Sequence, residues 1–216
     1  MNIIIFGPPG AGKGTQSDFI VKNFELFKLS TGDLLREEIS KKTSLGLKIT
    51  SIVNSGSLVS DEIINSLIEN VVSNENYRNK IIFDGYPRNL SQAQNLNELL
   101  SKYNQKIDIV ISLKVALDVI KKRITGRLLC SKCSKTYNEF FSPPPTNTDC
   151  CKSEFLQKRD DDNVEVAIKR FETYEKSTEP VLKFYKNMDL IKDINGEKNI
   201  ESIQAEISDY LTVIEG

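Results

Sequence analysis

Apolar positions along the chain follow two alternating rhythms. Strand signals recur in short stretches rich in apolar and β-branched residues at Ile3–Phe6, Phe24–Leu29, Lys80–Asp84, Ile107–Leu113 and Leu190–Ile194. Between them apolar residues recur three and four apart, as in Ile64, Leu67 and Ile68, in Val181, Leu182 and Tyr185, and in Ile200, Ile203 and Ile207. That spacing puts them on one buried side of a helix. The alternation predicts an α/β fold of three layers, with a five-stranded parallel sheet between helices.

Start and stop signals refine the elements. Ser91 with Gln94 three residues on reads as a capping box opening a helix to about Tyr103, and Ser60 followed by Asp61 caps the helix that carries Ile64. Thr178 and Pro180 suit the cap and first turn of a late helix, so the long pattern from Val164 is expected to break before it. The last helix runs from about Asn199 to Leu211. Two segments read as insertions: residues 30–59, helical and polar with Gly46 and Gly56, and residues 127–162, which hold all four cysteines and the run Pro143-Pro144-Pro145. The core is then residues 1–29, 60–126 and 163–216. There is no internal repeat and no low-complexity tract; Asp160-Asp161-Asp162 is too short to count as one.

Composition narrows the chemistry. A chain of 216 residues builds one core with lobes rather than two independent domains. Its net charge of −1 offers no basic field for nucleic acid or a membrane surface. No apolar run approaches the roughly 20 residues that span a bilayer, and no basic-then-apolar leader precedes Asn2, so a soluble cytoplasmic protein is expected. With no histidine in the chain, histidine general-base, triad and histidine-ligated metal chemistry are excluded. Arginine is sparse, seven against 22 lysines. Where lysine serves as the plain cation, an arginine points to a site that needs a planar, bidentate fork; Arg78, in the loop Asn76-Tyr77-Arg78-Asn79, reads instead as a surface ion-pair partner.

Between the first strand and the first helix stands Gly7-Pro8-Pro9-Gly10-Ala11-Gly12-Lys13-Gly14-Thr15. Strand, glycine loop and helix in that order make a P-loop: the backbone N–H groups of Gly10 to Thr15 wrap phosphates at the positive end of the helix, and Lys13 adds a mobile charge. A glycine turn capping an ordinary helix would not need strand and helix both in register with the motif. The generic loop has Ser or Thr directly after the lysine for Mg²⁺, whereas here Gly14 fills that place and Thr15 follows. A GTPase switch would need DxxG and NKxD-type segments; Asp84-Gly85-Tyr86-Pro87 fails the first, and nothing supplies the second. A zinc-ribbon interaction module would account only for residues 130–151 and leave the arginines unexplained.

Three further segments accompany the loop: Leu29-Ser30-Thr31-Gly32-Asp33-Leu34-Leu35-Arg36, Phe83-Asp84-Gly85-Tyr86-Pro87-Arg88 with Gln92, and Arg159-Asp160-Asp161-Asp162 with Arg170. Together, from Met1 to the final helix, they resemble an adenylate kinase of the long-lid type. The resemblance implies a P-loop core with a monophosphate-binding lobe (30–59) and a lid (127–162), and transfer of a phosphoryl group from Mg·ATP to AMP. It implies Mg²⁺ as the cofactor carried by ATP, ATP, AMP and ADP as partners with no nucleic acid or membrane, and a monomer. Thr31, Arg36, Ser57, Leu58, Val59, Gly85, Tyr86, Pro87, Arg88, Gln92, Arg159 and Arg170 would meet AMP. Gly10, Ala11, Gly12, Lys13, Gly14, Thr15, Arg123, Arg127, Thr136, Tyr137 and Lys198 would meet ATP.

Within that scheme Lys13, Arg88, Arg127, Arg159 and Arg170 carry the transfer by charge and position. Asp84 would hold Mg²⁺ through water, a buried aspartate paired with an arginine being the alternative. Asp161 and Asp162 resemble lid-hinge carboxylates that orient Arg123 or Arg159, and read equally as acids at a helix N-terminus. Gln92 can pair with an adenine edge, though so near a helix start it could also be solvated. Lobes that close over both nucleotides exclude water, and lid opening is expected to limit turnover. The chain departs from the family pattern at Tyr86, where phenylalanine is usual, and in the loosely matched loop Asn195-Gly196-Glu197-Lys198. Related kinases for UMP or CMP, or with GTP as donor, are the rivals; Thr31, Gln92 and the long lid favour AMP.

Cys130 and Cys133 have zinc-ligand spacing, whereas Cys150 and Cys151 are adjacent and could share one ion only through a strained turn. Structural Zn²⁺ on Cys130, Cys133, Cys150 and Cys151 and free thiols in a reducing cytosol both remain open, with Ser153 and Glu154 as substitute ligands.

Overall fold

A computed structural model describes residues 1–55, 57–145 and 150–215; Gly56, singled out above, lies outside the described residues. Strands β1 (Ile3–Phe6), β2 (Phe27–Ser30), β3 (Ile81–Asp84), β4 (Ile109–Lys114) and β8 (Ile191–Asn195) form one parallel sheet in the order β2-β3-β1-β4-β8. The numbers β5 to β7 belong to a second sheet described below.

Pleating divides the central strand. Ile4 and Phe6 join Leu29, Ile81, Phe83 and Val110 in one apolar cluster, while Ile3 and Ile5 join Ile82, Ile109, Ile111 and Leu113 in another. Every residue of β1 and β3 is buried, as a sheet covered on both sides requires. Helices α4 (Asp61–Val72), α5 (Leu90–Lys102) and α8 (Glu179–Lys186) cover the first face, and α1 (Lys13–Phe24), α6 (Leu117–Thr125) and α9 (Ile200–Glu215) the second.

Both insertions have structure of their own. Helices α2 (Thr31–Ser40) and α3 (Ser44–Asn54) pack on each other so closely that a Cβ on Gly46 would stand 2.1 Å from the Glu38 carbonyl oxygen. Strands β5 (Arg127–Cys130), β6 (Thr136–Asn138) and β7 (Leu156–Gln157) form an antiparallel sheet in the order β6-β5-β7. Helix α7 (Val164–Thr173) leads from this segment back to the core. Among the described residues no helix is long and apolar enough to cross a membrane.

The structure corrects several boundaries. Phe24 closes α1 rather than opening a strand, because Glu25 turns into the left-handed region at φ 51° and ends the helix. Helix α5 is capped by Asn89, whose side chain accepts from the Gln92 N–H at 2.8 Å, and Ser91 falls inside the first turn. Ser60 occupies the cap of α4 without a side-chain cap bond. The pattern from Val164 does not break before Thr178. A π-turn at Tyr174–Thr178 joins α7 to α8, with the Glu179 N–H donating to the Tyr174 carbonyl, and the wider turn admits Pro180 near the start of α8. The Thr178 hydroxyl makes no cap and donates instead to the Arg88 carbonyl at 2.9 Å.

Candidate active site

The loop after β1 reaches α1 through Gly12, whose φ of 95° caps the helix in a conformation that a side chain disfavours. The Lys13, Gly14 and Thr15 N–H groups then open the first turn, where no carbonyl lies one turn earlier to accept them. The Lys13 ammonium folds back, donating to the Gly7 and Pro8 carbonyls at 2.7 and 3.1 Å. Asp84 ends β3 in register with Ile5 and is 9% exposed. Its near ion-pair partner is Lys28, at 3.9 Å, rather than an arginine; Lys28 also holds Asp18 at 2.9 Å.

The loop after β3 meets the start of α2. The Thr31 hydroxyl and the Arg88 Nε both donate to the Gly85 carbonyl, at 2.9 and 2.7 Å. Arg36 is held by Asp33 at 2.5 Å. Gln92 is 2% exposed, so it is not solvated: its Oε1 accepts from the Arg88 N–H and its Nε2 donates to Asp61, each at 2.7 Å. Tyr86 is buried, and its hydroxyl donates to Asn65 at 2.9 Å and lies 3.2 Å from the Gln92 carbonyl. Val59 is buried in the core, Leu58 half-buried and Ser57 exposed. Pro87 lies between Tyr86 and Arg88 in the same buried stretch.

From the other side come Arg127, the first residue of β5, Arg159 just past β7, and Arg170 on α7. Arg127 donates through Nε to Asp162 at 2.7 Å and through Nη2 to the same carboxylate. Arg170 donates to Asp161. The two aspartates therefore hold Arg127 and Arg170, not Arg123 or Arg159, because the turn after Arg159 aims their carboxylates at the root of β5 and at the inner side of α7. Burial raises the Asp161 carboxyl, and the Arg170 charge overrides it and holds it below the usual range.

These cations share one electrostatic space. Burial lowers the Lys13 ammonium to about 8, with Asp84 opposing the shift and Arg88, Arg127 and Arg170 adding to it. Burial, then Arg170 and Arg36, lower Arg88 against the pull of Asp84. Arg159, whose Nε is buried without a partner, is brought to about 10 by burial and by Arg127 and Arg36. Like charges that depress one another are relieved by a polyanion.

The remaining residues expected at ATP have other partners. Arg123, on α6, donates to the Ala11 carbonyl of the loop at 3.2 Å, lies 5.4 Å from the Phe141 ring centre, and feels Glu197 of the β8–α9 loop. Lys198, in that loop, is paired with Glu206 at 2.8 Å. Thr136 is exposed on β6, and the Tyr137 hydroxyl donates to the Cys151 sulfur at 3.1 Å.

The four Sγ atoms of Cys130, Cys133, Cys150 and Cys151, the adjacent pair included, all lie within 4.8 Å of one another, and no disulfide joins them. A tetrahedral zinc with bonds of about 2.3 Å separates its sulfurs by about 3.8 Å, so this set fits one ion. The Lys135 backbone N–H, with help from Cys150, lowers the Cys133 thiol to about 7, while its bond to Cys133 raises Cys150 to about 12.

Sequence reasoning gave no site role to Asp61, Lys28 or Asp33. Each is an ordinary surface residue type in the sequence, and only the partner it meets across the fold marks it.

A profile of the family described as adenylate kinase matches residues 5–190. A protein named adenylate kinase from Pelagibacter ubique is 49% identical over 213 residues, 99% of this chain and all of that one. Similarly named proteins from Methanocella arvoryzae and Bacillus subtilis are 41% and 38% identical over 210 and 212 residues, covering 96% and 98% of both chains in each pair.

Proposed function

The chain belongs to the adenylate kinase family, catalysing reversible phosphoryl transfer between ATP and AMP, and on that premise we propose how its residues share the work. Mg²⁺ enters as part of the ATP substrate. The loop amides of Gly10 to Thr15 grip the triphosphate, and Lys13 exchanges the Gly7 and Pro8 carbonyls for phosphate oxygens. Arg88 and Arg36 fork the AMP phosphate, Gln92 reads the base beside Thr31, Gly85 and the 57–59 backbone, and Arg123 covers the donor adenine with Tyr137 and the Lys198 loop nearby. Arg127, Arg159 and Arg170 share the charge as the AMP oxygen attacks the γ-phosphorus in line, with no covalent enzyme intermediate. Asp84 orients the metal's water shell from the mouth of the sheet.

The observation that carries this reading is a partly buried cluster in which burial, and after it the charges of Arg36, Arg88, Arg127 and Arg170 from four separate stretches of the chain, lower Lys13, Arg88 and Arg159. Segments 30–59 and 127–162 act as closing lobes that exclude water. In the second, Cys130, Cys133, Cys150 and Cys151 hold a structural Zn²⁺, with no open position for chemistry. A monomeric, cytoplasmic enzyme belongs to the same proposal.

The test is ADP formation from Mg·ATP with AMP, GMP, CMP and UMP, with an Arg88→Ala control. Turnover confined to AMP and lost in the control supports the assignment. Turnover with CMP or UMP would remove Thr31 and Gln92 from base selection, and ATP hydrolysis without acceptor preference would overturn it.

A further inference from the structure

Asp61 opens α4 and has no part in the scheme above. Its carboxylate accepts from Gln92 Nε2 at 2.7 Å and from Asn89 Nδ2 at 3.0 and 3.3 Å. One turn along the same helix, Asn65 accepts from the Tyr86 hydroxyl. This face of α4 is thereby tied to the start of α5 and to the loop after β3. Between them lies the buried Gln92 amide, its Oε1 taken by the Arg88 N–H at 2.7 Å.

We infer that Asp61 is a specificity-determining positioning residue, which selects the acceptor base by holding the Gln92 amide in one of its two orientations. The inference rests on the reading of Gln92 as the residue that meets the AMP base. A primary amide has two N–H donors and two carbonyl lone pairs. A carboxylate only accepts and a backbone N–H only donates, so these two neighbours assign the nitrogen and oxygen ends of Gln92. One N–H and one lone pair are left. Adenine presents their complement, an acceptor at N1 and a donor on its amino group.

A 6-oxopurine presents the reverse order, an acceptor oxygen and a donor N1–H. To pair with it the amide must turn over, setting its oxygen against the Asp61 carboxylate and its NH₂ against the Arg88 N–H. Both contacts become repulsive in a buried place, where lost hydrogen bonds are expensive. Discrimination therefore resides in Asp61 as well as in Gln92.

The test is kcat and KM for AMP and for IMP at saturating Mg·ATP, in the unaltered enzyme, Asp61→Asn, Asp61→Ser and Gln92→Ala. Asparagine keeps the shape of Asp61 and can turn its own amide to donate to Gln92. The AMP/IMP ratio of kcat/KM should fall about tenfold, the worth of one hydrogen bond to a charged group. The change should lie in the KM values, with kcat for AMP and KM for ATP retained. Asp61→Ser should shift the ratio in the same direction, and since both nucleotides are measured on one preparation, any loss of folded enzyme cancels. If the Asp61 variants keep the original ratio while Gln92→Ala lowers it, the proposal is overturned and the reading of Gln92 stands. If Gln92→Ala also keeps the ratio, the reading of Gln92 falls and the proposal with it.

Discussion

Arg127 and Asp162 stand at the two ends of segment 127–162 and hold each other side-on, Nε and Nη2 of one guanidinium edge donating to the two carboxylate oxygens, with the Asp162 side chain wholly buried. The pair closes the root of that segment, the proposed lid, and fixes the plane of a guanidinium that the proposed scheme turns toward the transferred phosphate. Removing one partner leaves a buried charge uncompensated, a loss of about 3–5 kcal/mol. Asp162→Ala is therefore expected to open the lid locally, seen as faster hydrogen exchange at Leu128–Cys130, and to lower kcat/KM for ATP. Exchange and kinetics like those of the unaltered enzyme would show that the pair contributes nothing at the hinge.

Lys13 makes nucleotide binding depend on pH in a definite sense. In the free enzyme burial brings its pKa down from the usual 10.5 to about 8, and phosphate oxygens raise it again. Above pH ~8, ATP must bind with uptake of a proton, so affinity should fall as pH rises. The free protein, conversely, should gain stability between pH ~8 and ~10.5, where the unfolded chain binds the extra proton. Calorimetry at pH ~8.5 in buffers of different ionisation enthalpy measures the uptake; none would mean that Lys13 is fully charged before nucleotide arrives.

Gly46 is a site of steric rather than chemical demand. Its missing Cβ would meet the Glu38 carbonyl oxygen at 2.1 Å and carbon at 2.5 Å, both backbone atoms of α2. Gly46→Ala should force α2 and α3 apart, cost about 3 kcal/mol, and raise KM for AMP far more than for ATP. Thermal melts with steady-state kinetics check it, and an unchanged midpoint would show that the two helices part freely.

The cysteine cluster should bind one zinc per chain, released on titration with a mercurial and detected with a chromogenic chelator. Removing it, or Cys133→Ser, should lower the melting temperature of the lid while leaving AMP binding in place. Zinc-free protein whose melting is indifferent to added metal would point to thiols with no metal role.

Much of this molecule is legible along the chain because its signals are local. A glycine loop between an apolar strand and a helix needs no tertiary contact to be read, and with so few arginines in the chain, those other than Arg78 serve as pointers. Cap residues were read less well. Asn89 and Ser91 are both good caps by type, and the choice fell to Asn89 because its oxygen reaches the Gln92 N–H. Spacing leaves zinc and free thiols both open for Cys130, Cys133, Cys150 and Cys151, because it cannot show that the four sulfurs stand within 4.8 Å of one another.

By itself, the sequence determined the alternation of strands and helices, the phosphate-gripping loop and the inventory of forked cations, because periodicity and backbone freedom are properties of neighbouring residues. Which side chain each carboxylate meets was decided only by the tertiary structure: Asp162 with Arg127, Asp161 with Arg170, Lys28 between Asp18 and Asp84, Asp61 against the Gln92 amide. Those partners are 9 to 56 positions apart. Electrostatic and hydrogen-bond energies depend on distance in space, which strand order and helix packing set and sequence separation does not.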